Sequence, residues 1–213
     1  IKQLKQVEDE YRSVQLQKKQ EQLNALQNQI NPHFLYNTLD TIRGMAMEHN
    51  DVLVAHIVEM LSSMFKYSIN YTESLVSISE EIGHLEKYVA ILNIRTPDRI
   101  DLNEQYNCDY HDLQRISIPK MTLQPIVENS VQHGLKKTTN GHITISYIML
   151  ESDFEIVITD DGCGMEDEMM ERLNKSFNEN KSISISSKLT SSAGLALSNI
   201  NFRIKLFFGE EYG

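Results

Sequence analysis

The spacing of apolar residues changes along this 213-residue chain, and that change limits the folds it can adopt. Before about residue 96, apolar residues recur at i, i+3 and i+4, the period of an amphipathic helix. After residue 140, "HITISYIML" and "DFEIVITD" alternate apolar and polar residues across a short "ESD" connection, which predicts a β-hairpin. The chain is therefore predicted to be α+β, with a helical first part and a mixed second part.

Two helices are predicted first. Residues 1 to about 30 are polar, lack Gly and Pro, and carry a broken heptad pattern. They predict a helical stalk that either pairs with a copy of itself or stays a solvated single helix. This helix is expected to continue to about Glu48, where "EHND" breaks it, and residues 51–69 complete an αα-hairpin. The second helix carries an apolar stripe of Leu53, Ile57, Met60, Leu61, Met64 and Phe65, with Ser68 in register.

A hairpin cannot bury two apolar stripes alone, and dimerisation into a four-helix bundle would cover them. A third helix is predicted to begin at a capping box formed by Ser77 and Glu80. Pro97 ends it. Its apolar stripe consists of Ile82, Leu85, Val89 and Leu92.

The second part is predicted to begin near residue 96. "IDLNEQY" reads as a strand, and Pro119 is expected to open a helix. Residues 176–194 are rich in Ser, Asn and Lys, which predicts a mobile loop. "LALSNINFRIKLFF" predicts a final amphipathic helix.

Charge and composition exclude some classes of function. The formal net charge of −10 argues against attraction to nucleic acid or to an anionic membrane, although a local cationic pocket stays possible. Two cysteines, Cys108 and Cys163, predict no disulfide framework. No apolar run approaches the roughly 20 residues of a membrane span, and no signal peptide is recognisable. The chain starts directly in helical sequence, which is typical of a piece of a longer protein.

The stretch "NQINPHFLYNT", residues 28–38, displays a histidine. At about 100° per residue, His33 falls outside the apolar arc, beside Gln29 and Asp40, with Asn37 one turn further on. A neutral imidazole is a good nucleophile at cellular pH. Pro32 is expected to bend or loosen the helix there. An acceptor that another domain approaches and an ordinary surface histidine in a kinked helix are equally compatible with this stretch alone.

Three further motifs have the chemistry of a nucleotide site. In "LQPIVENSVQHGLKK", Asn129 and His133 are i and i+4, with Glu128 adjacent, and an amide oxygen suits Mg²⁺. "TDDGCGM" places an acidic residue at a strand end before two glycines, where backbone can approach a ligand closely. "SSAGLALSN" opens a helix whose free N–H groups can hold phosphate. Taken singly, these motifs equally describe a polar helix face, a glycine-rich turn and a small-residue loop.

The order of these motifs resembles that of a two-component sensor histidine kinase. The resemblance is to the branch whose acceptor box reads N-P-H-F-L-Y-N, the membrane sensors paired with DNA-binding response regulators. It covers the acceptor box at 31–37, the "FKYSIN" and "EEIGHLEKYVAI" helices, the N box at 128–134, the D-x-G-x-G box at 160–164 and a G-x-G-L-like box at 194–197. The implied fold is a helical hairpin in a dimeric four-helix bundle, followed by an α/β-sandwich ATP-binding domain. That domain is of the histidine-kinase, gyrase and Hsp90-like type, with its C-terminal strands missing.

The resemblance also implies domains and site residues. Residues 1–28 would be a stalk from the sensor, 29–96 the dimerisation and acceptor helices, and 97–213 a C-terminally truncated ATP-binding domain. His33 would be phosphorylated by ATP, Asn129 would ligate Mg²⁺, and Asp160 would bind the adenine amino group. The remaining candidates are Asn37 and Glu128 as catalytic residues, with His133, Gly162, Gly164, Gly194 and Leu195 binding the nucleotide.

The implied function is autophosphorylation of His33 with Mg-ATP and transfer of the phosphoryl group to an aspartate of a response regulator. The protein would be a homodimer and the cytoplasmic domain of a bacterial membrane protein, attached through segments outside this chain. An alternative is a non-catalytic dimeric scaffold that binds nucleotide weakly, because Ala196 replaces the family's second glycine. A superfamily ATPase or chaperone is disfavoured, because Pro125 stands where those proteins have a base glutamate.

Overall fold

The structure, a computed structural model, describes residues 31–69, 74–96, 98–136, 138–178 and 192–212. The predicted stalk at 1–28 therefore lies outside the described residues. The contacts between residues divide the chain into two units between Ser62 and Ser63, and each unit is described by itself.

Helix α1 spans Pro32–Glu48, and its start corrects the prediction of a helix bent at Pro32. Asn31 has an extended backbone, with φ −74° and ψ 101°, and its Oδ1 accepts a hydrogen bond from the Phe34 amide at 3.2 Å. Asn31 is thus the N-cap and Pro32 the first helical residue. A proline there costs nothing, because the first N–H has no helical partner and φ is already suitable. Pro32 therefore begins a helix.

Helix α2 spans Val52–Ile69, which confirms the break at "EHND". Asn50 turns the chain with φ 57°, and Asp51 Oδ1 accepts from the Val54 amide at 3.1 Å. Leu53, in the predicted apolar stripe, is 63% exposed in the single chain, and its burial in a dimer stays a prediction. Within the single chain, the buried residues of α2 are Ala55, Val58, Met60 and Ser62.

Helix α2 is also the one helix, among the residues that the structure describes, with the length and apolar composition to cross a membrane. This differs from the prediction that no apolar run approaches that length. One such helix is weak evidence for a span, because a core helix of a soluble protein meets the same criteria.

Helix α3 spans Ile78–Arg95 and begins at the predicted capping box. Ser77 Oγ accepts from the Glu80 amide at 3.3 Å, and Glu80 Oε2 accepts from the Ser77 amide at 2.9 Å. The predicted stripe is buried in the core of the second unit. Contacts therefore place α3 with the residues that follow it, whereas the sequence predicts a boundary near residue 96. The functional division into 29–96 and 97–213 stays a prediction.

A three-stranded sheet forms one layer of the second unit. Its strands are β2 (Arg99–Tyr106), β4 (Asn140–Met149) and β5 (Phe154–Asp160), in the order β2-β4-β5. Strands β4 and β5 are antiparallel, which confirms the predicted hairpin, and β2 runs parallel to β4. Alternate residues of β4 are fully buried against the helical layer, which includes α3 and α5 (Leu123–Asn129).

A second, two-stranded sheet pairs β1 (Leu75–Ser77) with β3 (Ser117–Pro119), which follows the short helix α4 (Tyr110–Arg115). The prediction that Pro119 opens a helix is wrong. Pro119 ends β3 opposite Leu75, where a small sheet tolerates a residue without an N–H. Helix α5 begins only at Leu123.

Two helices close the described chain, α6 (Asp167–Asn178) and α7 (Ser192–Phe208). The predicted loop at 176–194 is helical at both of its described ends, and 179–191 lie outside the described residues. The end of α6 is attached to α7 because Lys205 Nζ and Asn201 Nδ2 both donate to the Phe177 carbonyl, at 2.7 and 3.3 Å. The predicted final amphipathic helix is confirmed.

Candidate functional site

The N box lies on α5 and on the π-helical turn that follows it, Ser130–Gly134. Asn129 Oδ1 is buried and has no hydrogen-bond partner among the described residues. Leaving a buried acceptor unpaired costs about 1–3 kcal/mol. Such an atom therefore needs an explanation, and a bound ligand is one.

The π-helical turn changes the predicted relation between Asn129 and His133. The Leu135 amide donates to the Ser130 carbonyl at 2.9 Å, a span of five residues in place of four. The i, i+4 rule for one helix face does not hold strictly across such a turn. His133 is exposed there. π-helical turns occur frequently at functional sites.

The loop after β5 contains the predicted acidic residue and both of its glycines. Asp160 ends β5, and its Oδ1 accepts from the Gly162 amide at 3.0 Å. Gly164 has φ +72°, a left-handed conformation that glycine adopts without strain. The carboxylate of Asp160 is exposed to solvent at the end of the strand.

Backbone contact joins this loop to the end of the N box. The Cys163 amide donates to the Gly134 carbonyl at 3.0 Å. A Cβ atom on Gly162 would lie 2.5 Å from the carbonyl carbon and oxygen of Gly134, and 2.7 Å from Asp160 Oδ1. Two motifs about 30 residues apart are thus brought together, and only glycine fits between them.

The candidate acceptor lies in the first unit. His33 is exposed on α1, and Asn37 Nδ2 lies 3.3 Å from each of its ring nitrogens. The amide can donate to whichever ring nitrogen is unprotonated. The structure therefore brings together the two residues that the sequence paired at i, i+4, although Gln29 lies outside the described residues.

Comparison with known proteins identifies both halves of the chain. Residues 21–100 match the histidine kinase family, and residues 117–211 match the histidine kinase-, DNA gyrase B- and HSP90-like ATPase family. Together the two matches cover more than half of the chain. The chain belongs to the two-component sensor histidine kinases.

Relatives agree with this assignment. The chain is 37% identical to the sensor protein LytS of Oceanobacillus iheyensis, over 91% of this chain and 32% of that protein. It is 33% identical to the sensor histidine kinase YesM of Bacillus subtilis, over 100% of this chain and 34% of that protein. The sensor protein kinase HptS of Staphylococcus aureus is 33% identical over 74% of this chain and 29% of its own length. The chain spans about a third of the length of these curated relatives.

A solved histidine kinase domain from Erythrobacter litoralis is similar at 12% identity, with a TM-score of 0.35 over 64% of this chain and 74% of that chain. The predicted α+β architecture and the predicted histidine kinase family are confirmed by the described fold and the family matches. The acceptor-box branch and the type of regulator stay predictions.

The N box of this histidine kinase fits a magnesium ion held by one protein oxygen. Mg²⁺ prefers oxygen and usually keeps several waters and substrate phosphates as ligands. Asn129 Oδ1 is a buried oxygen of the suitable kind and has no other described partner. Among the described residues, no three His, Cys, Asp or Glu side chains group as a metal site. Asn129 is therefore the candidate ligand for Mg²⁺ in the described part of the chain.

The kinase's other candidates are placed as follows. Gly194 is buried in the first turn of α7, which packs against α5, and Leu195 follows it, with a side chain that the structure does not describe. Ala196 also lies within α7, so its backbone is helical and an alanine there is unstrained.

Glu128 Oε1 accepts from Gln132 Nε2 at 2.9 Å on the outside of α5. Pro125 is in the first turn of α5.

Sequence reasoning missed two residues that shape the loop. Asp161 accepts from the His142 amide and approaches His142 Nδ1, both at 2.8 Å, which anchors the loop to β4. The backbone bond from His142, followed by its side-chain bond, holds the pKa of Asp161 below its usual value. The sequence signal for this contact is the second aspartate of "TDDG", because the adenine site needs only the carboxylate of Asp160.

Proposed function

We propose that this chain is the catalytic part of a sensor that phosphorylates His33 with Mg-ATP and passes the phosphoryl group to an aspartate of a response regulator. The observation that carries this proposal is the buried, unpaired Oδ1 of Asn129 beside the Gly134–Gly162 contact. A bound magnesium ion would give that oxygen a partner, with the phosphates of the nucleotide as further ligands of the ion.

In the proposed nucleotide site, Asn129 holds Mg²⁺, which neutralises phosphate charge when it is bound. Asp160 Oδ2 accepts from the adenine amino group, while Oδ1 stays bonded to the Gly162 amide at 3.0 Å. Gly162 and Gly164 keep side chains out of the adenine pocket. His133 and the first turn of α7, with Gly194 and Leu195, lie beside the phosphates, because helix N-termini attract anions.

In the proposed transfer, an unprotonated ring nitrogen of His33 forms a bond to the γ-phosphorus of ATP. The bond from that phosphorus to the bridging oxygen breaks, and ADP leaves with the electron pair. Asn37 orients the ring from 3.3 Å. Glu128, on the N-box helix, is proposed as a second catalytic side chain.

The proposed assembly is a homodimer formed through α1 and α2. Large apolar side chains on these helices are exposed in the single chain, including Phe34 and Val52, both 67% exposed. A four-helix bundle of two hairpins would cover them. We also propose that the chain is the cytoplasmic domain of a bacterial membrane sensor, in keeping with the sensor names of its relatives.

The test is phosphorylation of the purified chain with γ-labelled ATP and Mg²⁺. Wild type should acquire one acid-labile label, His33→Gln should acquire none, and His56→Gln, a change at another exposed histidine, should label normally. Asn129→Ala should lose magnesium-dependent nucleotide binding in calorimetry. Label that persists in His33→Gln contradicts the assignment. Absence of nucleotide binding in wild type favours the scaffold, and phosphate release without phosphoprotein favours an ATPase.

A further inference from the structure

Glu81 is a buried carboxylate outside the nucleotide site, with a side chain that receives four hydrogen bonds. It is 1% exposed. Its Oε1 accepts from the Met121 amide at 2.6 Å and from the hydroxyl of Tyr67. Its Oε2 accepts from the amides of Thr122 and Leu123, at 2.9 and 3.0 Å. A buried charge is tolerated when it is hydrogen-bonded in this way.

The three amides belong to the turn that starts α5. Met121 has φ +59°, a left-handed conformation that is strained for a residue with a long side chain. Its amide is held by Glu81, and its carbonyl accepts from Arg203 of α7 at 3.4 Å. Strain of this kind persists only where surrounding contacts impose it. Glu81 is therefore part of what sets the direction in which α5 leaves the turn.

The fourth donor connects a different element. Tyr67 lies in the last turn of α2, the helix that begins at Val52 next to α1. Its ring stacks on His84 with centroids 4.2 Å apart, and Lys120 Nζ lies 4.4 Å from the ring centroid. Burial and the bond to Glu81 raise the pKa of Tyr67, so the hydroxyl remains a donor at any physiological pH. One carboxylate thus bonds to the end of α2 and to the start of α5.

Helix α5 connects the turn bonded by Glu81 to Asn129 in the candidate nucleotide site. Asn129 lies six residues after Leu123 on the same helix, a rise of about 9 Å at 1.5 Å per residue. A short helix moves as a rigid element, so a tilt imposed at its first turn displaces Asn129. The end of the N box is held as well, because the Cys163 amide donates to the Gly134 carbonyl at 3.0 Å.

We propose that Glu81 is a positioning residue that links the last turn of α2 to the helix carrying Asn129, so that displacement of Tyr67 is transmitted to the nucleotide site. The inference rests on the proposed function, because the role of Asn129 as a magnesium ligand is itself part of that proposal. Loss of the Tyr67 bond leaves the three amide bonds in place. Loss of the Glu81 charge disturbs all four.

Three single variants of the whole 213-residue chain separate linkage from simple stabilisation. Tyr67→Phe removes the hydroxyl and keeps the stacked ring. Glu81→Gln keeps the shape but leaves one acceptor oxygen. Tyr106→Phe is the matched control, because Tyr106 also donates to a glutamate, Glu104, at 2.6 Å, and lies on β2, outside the hydrogen bonds of Glu81. Nucleotide affinity and the rate of His33 labelling at saturating ATP are measured for each variant.

Tyr67→Phe should bind Mg-nucleotide within twofold of wild type, while its labelling rate falls about tenfold, the lower range for a hydrogen bond to a charged group. Glu81→Gln should lose about tenfold or more in both measurements. Tyr106→Phe should change neither. The proposal is overturned if Tyr67→Phe labels at the wild-type rate, or if its rate falls no further than that of Tyr106→Phe.

Failure of the proposed function has a different signature. In that case wild type itself acquires no label at His33. The link is then read from hydrogen exchange of the amides of Met121, Thr122 and Leu123 and from nucleotide affinity. Glu81→Gln should speed exchange at all three amides and weaken affinity, and unchanged values for both would overturn the positioning role independently of phosphoryl transfer.

Discussion

Replacement of Gly162 by alanine tests the contact between the N box and the Asp160 loop. The added Cβ would lie 2.5 Å from the Gly134 carbonyl carbon and oxygen, a distance that real Cβ atoms do not show. The obstructing atoms are backbone, so a side-chain rotation cannot relieve the clash. The loop, the end of the π-helical turn, or both must move, and the 3.0 Å bond from the Cys163 amide to Gly134 must lengthen.

The magnitude follows from the cost of overpacking. Added methyl groups in a well-packed site cost about 1–3 kcal/mol, which corresponds to roughly fivefold to 150-fold in an equilibrium constant. Gly162→Ala displaces Asp160 as well, since its Oδ1 would lie 2.7 Å from the new Cβ. We therefore expect Gly162→Ala to weaken Mg-nucleotide binding by at least about fivefold, and to lower the free energy of unfolding by about 1–3 kcal/mol.

Gly83→Ala is the matched control, at a glycine of α3 outside the proposed nucleotide site. A Cβ on Gly83 would meet no atom within 4 Å. Alanine favours a helix more than glycine does, so the free energy of unfolding should rise by about 0.5–1 kcal/mol and nucleotide affinity should change by less than about threefold. Calorimetric titration and urea unfolding measure the two quantities. Equal loss of affinity in both variants, or wild-type affinity in Gly162→Ala, would refute the steric argument.

Three further predictions use other parts of the chain. Asn37→Ala should lower the labelling of His33 severalfold while circular dichroism stays unchanged, because the ring loses the amide 3.3 Å away; wild-type labelling would exclude an orienting role. Burial lowers the pKa of His84 in the folded state. Just below the ordinary histidine pKa of about 6.5, the unfolded state therefore binds more protons at this residue than the folded state does. Stability to urea should therefore fall as the pH drops from about 7 towards 5, and His84→Gln should flatten that fall; an unchanged slope would contradict it. Ser77→Ala should cost about 1 kcal/mol in urea unfolding by removing the N-cap of α3, whereas Ser152→Ala, in the β4–β5 turn, should cost much less.

Features set by neighbours in sequence were predictable. The capping box needs only Ser77 and Glu80, three residues apart, and both reciprocal bonds form as expected. The β-hairpin needs only alternation and a short connection, and the alternate burial of β4 follows. In each case the deciding interaction is local, so one stretch of sequence contains both partners.

Features set by distant residues were not predictable in this way. Pro119 carries a helix-start signal, but pairing of β3 with β1 overrides it. Glu81 follows Glu80, the predicted capping-box residue, and nothing in the sequence distinguishes the roles of the two glutamates. One caps its own helix from the surface, and the other is buried by a turn forty residues later. Gly134 and Gly162 have the same difficulty, since a Cβ on Gly162 would meet the Gly134 backbone and a Cβ on Gly134 would meet the Asp160 side chain.

These distant contacts explain how Asn129 holds an unpaired buried oxygen. Its helix is anchored at the start by Glu81 and at the end by the contact of Gly134 with the Asp160 loop. Relaxation towards a hydrogen-bond partner would have to break one of these anchors, at a cost similar to the gain. Residues from three separate parts of the sequence therefore keep one amide oxygen ready for a ligand, and that oxygen is the part of the site on which the proposed chemistry most depends.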